Sequence, residues 1–187
     1  FLVLDEADIM LNMGFKEELD AILESAPEER QTVLLSATMP NDVVRIAKSY
    51  MKDPIELSAG QKNTGTQSVE HVFYRVRRHD KYEALKRLVD YHPGMYAIVF
   101  CRTRVATQEI AAKMVRDGYN AESLHGDLSQ TQREQVMRKF RSKAVQLLVA
   151  TDIAARGLDV DDLTHVIHFD LPTEADAYTH RSGRTGR

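Results

Sequence analysis

Three carboxylates follow the first apolar run of the chain. The run at residues 1–4 predicts a strand, and Asp5-Glu6-Ala7-Asp8 comes directly after it. Side chains at the carboxyl end of a parallel strand lie where α/β sheets bind ligands. Carboxylates there suit Mg²⁺ coordination and the orientation of water for phosphate hydrolysis. The four residues alone favour a simpler interpretation, an acidic loop that starts a helix, because Asp and Glu stabilise helix N-termini.

Hydroxyl groups follow the next apolar run, at residues 32–35. Ser36-Ala37-Thr38 is predicted to lie on the same sheet edge as the acidic motif. Alone, this motif is typical of a turn and helix cap, with Pro40 starting the next helix. Its proximity to the carboxylates makes it a candidate for the same site.

Arginine and threonine follow a later apolar run, at residues 97–101. Arg102-Thr103-Arg104 combines charge, a hydroxyl group and a predicted helix N-terminus, which together can hold phosphates. A solvated basic turn explains the same residues equally well. Downstream, Gly126 permits close approach of a ligand to the backbone, and Gln130 and Arg133 are expected to share one helix face. A capped surface helix is the simpler interpretation there.

The segment at residues 150–159 is more specific. It follows an apolar strand and combines Thr151, Asp152, Arg156, Gly157 and Asp159 in one connection. A loop that only reverses the chain does not need this mixture, so we interpret it as functional.

Three arginines spaced by three residues, with glycines between them, end the chain. Arg181, Arg184 and Arg187 follow His180 and present planar guanidinium groups that suit an anion with several oxygens. An RNA-binding Arg/Gly tail would look similar. The amphipathic stretch that precedes them favours a folded site.

The hydrophobic pattern predicts an α/β protein with parallel sheets and helices on both faces. Predicted strands cover residues 1–4, 32–35, 69–76, 97–101, 146–150 and 165–169. Predicted helices cover residues 15–25, 41–51, 81–91, 105–117, 130–141 and 174–182. Asn41 and Ser129 are expected to act as helix caps.

The polar, glycine-containing segment 59–68 predicts a linker between two domains. Residues 1–58 contain 5 Lys+Arg and 12 Asp+Glu, a net charge of −7, whereas residues 59–187 contain 20 and 16, a net charge of +4. The basic second part is compatible with nucleic-acid binding. The chain begins inside an apolar run and stops inside an Arg/Gly run, which predicts a piece of a longer protein.

Composition excludes several classes of protein. With 43% apolar and 28% charged residues over 187 positions, the chain is neither disordered nor fibrous. It has no apolar run of the roughly 20 residues that a membrane helix needs, and no His/Cys cluster with zinc spacing. Its single cysteine, Cys101, is consistent with a reducing, cytoplasmic location.

The order of these motifs closely resembles the motif series of DEAD-box RNA helicases over essentially the whole chain. The resemblance implies two RecA-like domains, with residues 1–58 as the C-terminal part of the first and residues 69–187 as most of the second. It implies an ATP-dependent RNA helicase that uses ATP and Mg²⁺ to close a cleft on RNA and separate short duplexes. The implied partners are single-stranded or duplex RNA, bound without sequence specificity, and ribonucleoproteins, with no membrane.

The resemblance also implies roles for individual residues. Asp5 would hold Mg²⁺ through water, and Glu6 would orient or deprotonate the attacking water. Asp8 would link to Ser36 and Thr38 and, across the cleft, to His180. Three residues would contact the nucleotide: Asp159 at the ribose, and Arg184 and Arg187 at the γ-phosphate. A further set would line the RNA backbone path: Arg102, Thr103, Gly126, Gln130, Arg133 and Thr151.

One departure from the family bears on activity. The sequence has no G-x-x-x-x-G-K-[ST] phosphate-binding loop and no adenine-reading Gln motif. We therefore expect residues 1–187 alone to be inactive as an ATPase. An RNA clamp or scaffold that does not unwind is the alternative function, which the presence of Glu6, Arg184 and Arg187 disfavours. A DNA-directed relative is disfavoured by the DEAD rather than DEAH-type element.

Overall fold

A computed structural model describes residues 1–58 and 69–186. The chain divides into two compact units, Phe1–Thr64 and Gly65–Arg187. The predicted linker at 59–68 and the predicted phosphate-binding residue Arg187 lie outside the described residues. The domain boundaries inferred from the sequence therefore stay a prediction.

The first unit has two parallel strands and three helices. Its elements are β1 (Leu2–Leu4), α1 (Ala7–Asn12), α2 (Lys16–Ser25), β2 (Thr32–Leu34) and α3 (Asn41–Tyr50). Leu2 pairs with Thr32 and Leu4 with Leu34, so the two strands end at the same edge. The core of this unit is small and is formed by the buried residues Leu4, Leu19, Leu23 and Ile46.

The second unit is a four-stranded parallel sheet in the order β4-β5-β3-β6. The strands are β3 (Ala97–Phe100), β4 (Ala121–Leu124), β5 (Leu147–Ala150) and β6 (His165–His168). The helices are α4 (Lys81–Tyr91), α5 (Arg104–Arg116), α6 (Gln130–Arg141), α7 (Asp152–Ala155) and α8 (Ala175–Ser182), with a 3₁₀ turn at Arg78–Asp80 before α4.

Alternate residues of the central strands build a separate core on each face of this sheet. Ile98 and Phe100 pack with α6 and α7 on one face. Ala97 and Val99 pack with α4 and α5 on the other. Because both faces are covered, β3 and β5 are buried along their whole length, which explains why their sequences are continuous apolar runs.

The predicted α/β architecture with parallel sheets and flanking helices is confirmed. The bounds predicted for α4 and α6 are those observed, and the other predicted helices differ by one residue at one or both ends. Three elements were missed: α1, α7 and β4. The sequence of β4 is Ala-Glu-Ser-Leu, so it lacks the apolar run that marks the other strands of this sheet.

The strand predicted at residues 69–76 is wrong, because none of the described strands pairs with this segment. Its apolar side chains remain exposed, including Val72, Phe73 and Tyr74. Side-chain pattern alone does not make a strand when no neighbour supplies backbone hydrogen bonds. The cap predicted at Asn41 is also wrong: Pro40 occupies the cap position and Asn41 is the first helical residue.

Within the described residues, no helix is both long and apolar enough to span a membrane.

We expect the two units to differ in stability. Over its described residues, 1–58, the first has a two-stranded sheet, and Val3 and Leu35 are 57% and 48% exposed. The second has a core on each face of its sheet. Hydrogen exchange of the 187-residue chain should therefore show weaker protection in β1 and β2 than in β3 and β5. Equal protection in all four strands would contradict this expectation.

Candidate functional site

The acidic motif lies at the carboxyl end of β1. The Asp5 side chain is exposed, and its Oδ1 accepts a hydrogen bond from the Glu6 N–H at 2.9 Å. Glu6, the residue before α1, has left-handed backbone angles (φ 53°, ψ 43°). A residue with a side chain pays a conformational cost there. The backbone therefore turns sharply at Glu6, the residue that was predicted to orient or deprotonate the attacking water.

Asp8 is buried and connects the acidic motif to the hydroxyl motif. Its Oδ2 accepts hydrogen bonds from the Thr38 hydroxyl at 2.6 Å and the Thr38 N–H at 3.0 Å. The Asp8 N–H donates to Ser36 Oγ at 3.3 Å, and that hydroxyl donates to the Thr38 carbonyl at 2.5 Å. The structure thus brings together Asp8, Ser36 and Thr38, as the resemblance implied. The implied link to His180 joins different units and stays a prediction.

The four strands of the second unit end at the same edge of the sheet, so the loops that follow them begin side by side. Ala150, the last residue of β5, pairs with Phe100 of β3 and with Leu124 of β4. Phe100 also pairs with His168 of β6. The residues that follow these strands therefore start from adjacent positions, and they include Arg102, Thr103, Gly126 and Thr151.

The threonines predicted to contact RNA act as helix caps within the chain. Thr103 Oγ1 accepts from the Ala106 N–H at 3.1 Å, and Thr151 Oγ1 accepts from the Ala154 N–H at 3.4 Å. Ser129 caps α6 in a capping box with Gln132, so that predicted cap is confirmed. Each cap thus satisfies one backbone N–H in the first turn of its helix, and the N–H groups at a helix N-terminus favour anions in general.

The two arginines after β3 contact neighbouring loops. The Arg102 N–H donates to Asp170 Oδ2 at 3.1 Å, and its guanidinium donates to the Leu171 carbonyl at 3.3 Å. Arg104 forms an ion pair with Asp127. Burial acts to raise the pKa of Asp170, but hydrogen bonds from Lys81 and Arg102, and their charges, hold that pKa below its ordinary value. Asp170 is therefore an anion that fixes the start of the loop after β3.

Gln130 and Arg133 lie on the same face of α6, where both line one groove. The Gln130 amide donates to Glu134 at 2.9 Å, and Arg133 donates to the Ala154 carbonyl at 2.7 Å. The predicted shared face is confirmed. A Cβ at Gly126 would meet nothing within 4 Å, so packing within the chain does not require glycine there.

Two of the residues predicted to contact nucleotide in the second unit, Asp159 and Arg184, lie near each other. Arg184 donates to the carbonyl of Leu158 at 3.2 Å, and Leu158 directly precedes the exposed Asp159. His180 is half-buried on α8.

The prediction that Arg181 presents its guanidinium to an anionic ligand is wrong, because Arg181 is buried in an ion pair within the chain. Arg181 is 3% exposed and donates to both Asp152 oxygens, at 2.5 and 2.7 Å. It also donates to the Asp170 carbonyl at 2.6 Å, and its guanidinium lies 4.9 Å from the centre of the Phe100 ring. Arg181 thus ties α8 to the loop after β5. No sequence signal pairs two residues 29 positions apart.

An aromatic stack beside this pair was also missed. His168 stacks on Tyr178, with ring centres 4.5 Å apart, and its Nε2 lies 3.3 Å from Ser182 Oγ. His71 Nδ1 lies 2.7 Å from the Tyr178 hydroxyl. Burial, followed by the charge of Arg181, lowers the pKa of His168 to about 4. The imidazole is therefore neutral at physiological pH.

Within residues 1–58 and 69–186, no group of three or more His, Cys, Asp or Glu side chains is placed to hold a metal ion. Thr38 already contacts the Asp8 carboxylate. Asp5, which directly follows β1 and is exposed, is therefore a carboxylate suited to a water-mediated contact with Mg²⁺, which usually keeps several of its waters.

Two family models match the chain. The DEAD/DEAH box helicase model matches residues 1–46, and the helicase conserved C-terminal domain model matches residues 80–187. ATP-dependent RNA helicase CshA of Limosilactobacillus reuteri is 45% identical, and DEAD-box ATP-dependent RNA helicase CshA of Geobacillus kaustophilus is 47% identical. Each match covers 100% of this chain but only 37% and 40% of those relatives, respectively.

Solved structures show the same relationship. S. cerevisiae Dbp5 bound to RNA and ADP BeF3 matches with a TM-score of 0.88 and 30% identity, over 99% of this chain and 49% of that one. A DEAD box protein from Methanococcus jannaschii matches with a TM-score of 0.63 and 42% identity, over 99% and 50%. The parallel α/β units are thus RecA-like helicase units. The chain belongs to the DEAD-box helicase family.

We expect Asp152→Ala to destabilise the second unit by about 2 kcal/mol, because it leaves Arg181 buried without its carboxylate. Asp127→Ala is the matched control. It removes the partner of Arg104 in an ion pair whose side chains are 63% and 49% exposed, so its loss should be about 0.5 kcal/mol or less. Urea unfolding of both variants checks the difference, and equal losses would contradict a structural role for the buried pair.

We expect His168 to make the second unit less stable in acid. Its folded pKa of about 4 lies below the ordinary 6.5, so the unfolded chain binds a proton more readily. Stability should be fully retained above about pH 6.5 and should fall as pH decreases towards 4. His168→Phe should remove this contribution, whereas His79→Gln, at an exposed histidine, should keep it. An NMR titration midpoint for His168 near 6.5 would contradict the expectation.

Proposed function

We propose that the protein carrying this chain is an ATP-dependent RNA helicase that binds the RNA backbone without sequence specificity and separates short duplexes when ATP closes its cleft. The observation that carries the proposal is the single sheet edge of the second unit. Three strands end there in register, and the loops that follow contain Arg102, Thr103, Gly126 and Thr151. Membership of the DEAD-box family supplies the reaction.

The chemistry of this edge suits a phosphodiester backbone. Capped helix N-termini present N–H groups, and the Arg102 side chain, held by the Leu171 carbonyl, adds positive charge. Gln130 and Arg133 of α6 extend the surface. These groups recognise phosphate and sugar, which carry no sequence information. The relative Dbp5 is bound to RNA and ADP BeF3 in its solved structure, which supports extending RNA binding to this chain.

Nucleotide use is proposed for both units. In the first, Asp5 would hold Mg²⁺ through water, and Glu6 would orient or deprotonate the attacking water. The bound metal would supply positive charge at the phosphates. In the second, Asp159 would bind the ribose, while Arg184 and Arg187 would contact the γ-phosphate. The hydrogen bond from Arg184 to the Leu158 carbonyl supports a shared location for Arg184 and Asp159.

Coupling between the sites is proposed for a second set of residues. Asp8, Ser36 and Thr38 form one hydrogen-bonded cluster directly after the acidic motif, and His180 would complete it from the other unit. The proposal places the C-terminal part of the first RecA-like domain at residues 1–58, a linker at 59–68 and most of the second domain at 69–187. A cytoplasmic location and ribonucleoprotein partners belong to the same proposal.

We expect Arg184→Lys in the intact protein to damage catalysis far more than RNA binding. Arginine can contact two phosphate oxygens at once, whereas lysine provides one point charge. Total charge is unchanged, so attraction to RNA should persist. Loss of an arginine finger typically reduces turnover by about 10³-fold or more. The measurement is kcat and RNA affinity at fixed salt.

Arg133→Ala is the matched comparison for that variant. It should weaken RNA binding and keep an ATPase that recovers at saturating RNA. If Arg184→Lys keeps a near-normal kcat, or loses as much RNA affinity as Arg133→Ala, Arg184 does not contact the γ-phosphate. An RNA clamp without unwinding would bind RNA but leave duplexes intact in a strand-displacement assay with ATP.

A further inference from the structure

A groove of about 730 Å³ runs along α6 beside the loop after β5. One wall is a stripe of α6 side chains that begins with Gln130 and Arg133 and continues to Arg138 and Arg141. The other wall is formed by Gly157 and Leu158. Gly157 has a φ of 62° and open space where a Cβ would be, so this wall leaves the groove accessible.

The cations of this region fall into two groups. Those that point away from the groove have carboxylate partners: Lys139 contacts Glu122 at 2.6 Å, and Lys143 contacts Asp162 at 2.9 Å. Among the described residues, the guanidinium groups of Arg138 and Arg141, which line the groove, have no hydrogen-bond or ion-pair partner. Glu134, the carboxylate among the described residues that line the groove, accepts a hydrogen bond from Gln130.

Position at the end of α6 does not explain this difference. Basic residues in a last helical turn are favoured by the helix dipole, and Arg138, Lys139 and Arg141 all lie there. Within the part of the chain that the structure describes, Lys139 is the one of the three with an ion-pair partner. The other two residues, Arg138 and Arg141, line the groove. A ligand bound there would exclude water, and this would strengthen the interaction of the arginines with an anion.

We propose that this groove binds RNA phosphates beyond those held by Gln130 and Arg133, so that Arg138 and Arg141 extend the backbone path along α6. The inference rests on the proposed RNA binding and deepens it. From Arg133 to Arg141 the helix rises about 12 Å, a distance that successive phosphates of one strand can follow. Guanidinium groups suit phosphate oxygens, and backbone contacts keep the path independent of sequence.

The test compares two double variants of the intact protein. Arg138→Gln with Arg141→Gln removes the unpaired groove cations. Lys139→Gln with Lys143→Gln removes the same charge from neighbouring paired cations. Fluorescence anisotropy with labelled oligouridylates of about 6 and about 15 nucleotides, lengths within the range of single-strand binding sites, gives affinity at several salt concentrations.

We expect the groove variant to bind the longer RNA roughly ten-fold more weakly and the shorter RNA nearly normally, with a salt slope shallower by about 1.4 for two lost phosphate contacts. The control should stay within about two-fold of the wild type for both lengths. Equal losses in the two double variants, or losses independent of RNA length, would overturn the proposal because they would reflect overall charge alone.

Two further outcomes separate this inference from the proposed function. If the wild type binds both RNAs and Arg133→Ala weakens binding, but the groove variant binds normally, the groove is not an RNA site and the proposed function stands. If the wild type binds neither RNA, the proposed RNA function itself is wrong, and the groove proposal is wrong with it.

Discussion

The parallel register of β4-β5-β3-β6 is the constraint on which the second unit depends. Because Leu124, Ala150, Phe100 and His168 pair across the sheet, the chain leaves all four strands at one level. Residues that are far apart in the sequence then begin neighbouring loops. The buried strands supply the core of the unit, and the loops at their ends carry the polar groups of the candidate site.

Many of the polar groups at this edge form hydrogen bonds or ion pairs with other residues of the chain. Asp170 holds Lys81 and the backbone of Arg102, and Arg181 joins Asp152 to the backbone after β6. These contacts fix the positions of the loops before any ligand binds. A preformed site pays less conformational entropy on binding than a flexible one. The first unit also has a carboxylate that is held within the chain, because Thr38 donates hydrogen bonds to Asp8. The neighbouring Asp5 is exposed.

The sequence was sufficient to predict those strands and helices whose pattern of apolar residues follows from the burial of their faces. The strands β3 and β5 are apolar throughout because both of their faces are covered, and α4 and α6 have the periodicity of helices with one buried side. It was insufficient where a partner decides the outcome. Residues 69–76 have the apolar and aromatic composition of a strand but lack a paired neighbour among the described strands, whereas β4 has a weak pattern and pairs with β5. The site shows the same division: the local cap at Ser129 was predictable, but the pairing of Asp152 with Arg181 was not.

The hydroxyl groups that cap helices explain how a basic edge can be rigid and also lack specificity for RNA sequence. Thr103 and Ser129 each accept a hydrogen bond from one N–H at the start of a helix, and the other N–H groups of a first helical turn have no partner within the helix. Backbone N–H groups occupy fixed positions. They contact phosphates and sugars but not base edges, so they cannot distinguish one base from another. The proposed RNA contacts therefore read the regular part of the ligand, its phosphates and sugars. Discrimination among RNA sequences would require side chains that reach base edges, and the edge of this sheet is built mainly from helix caps and arginines.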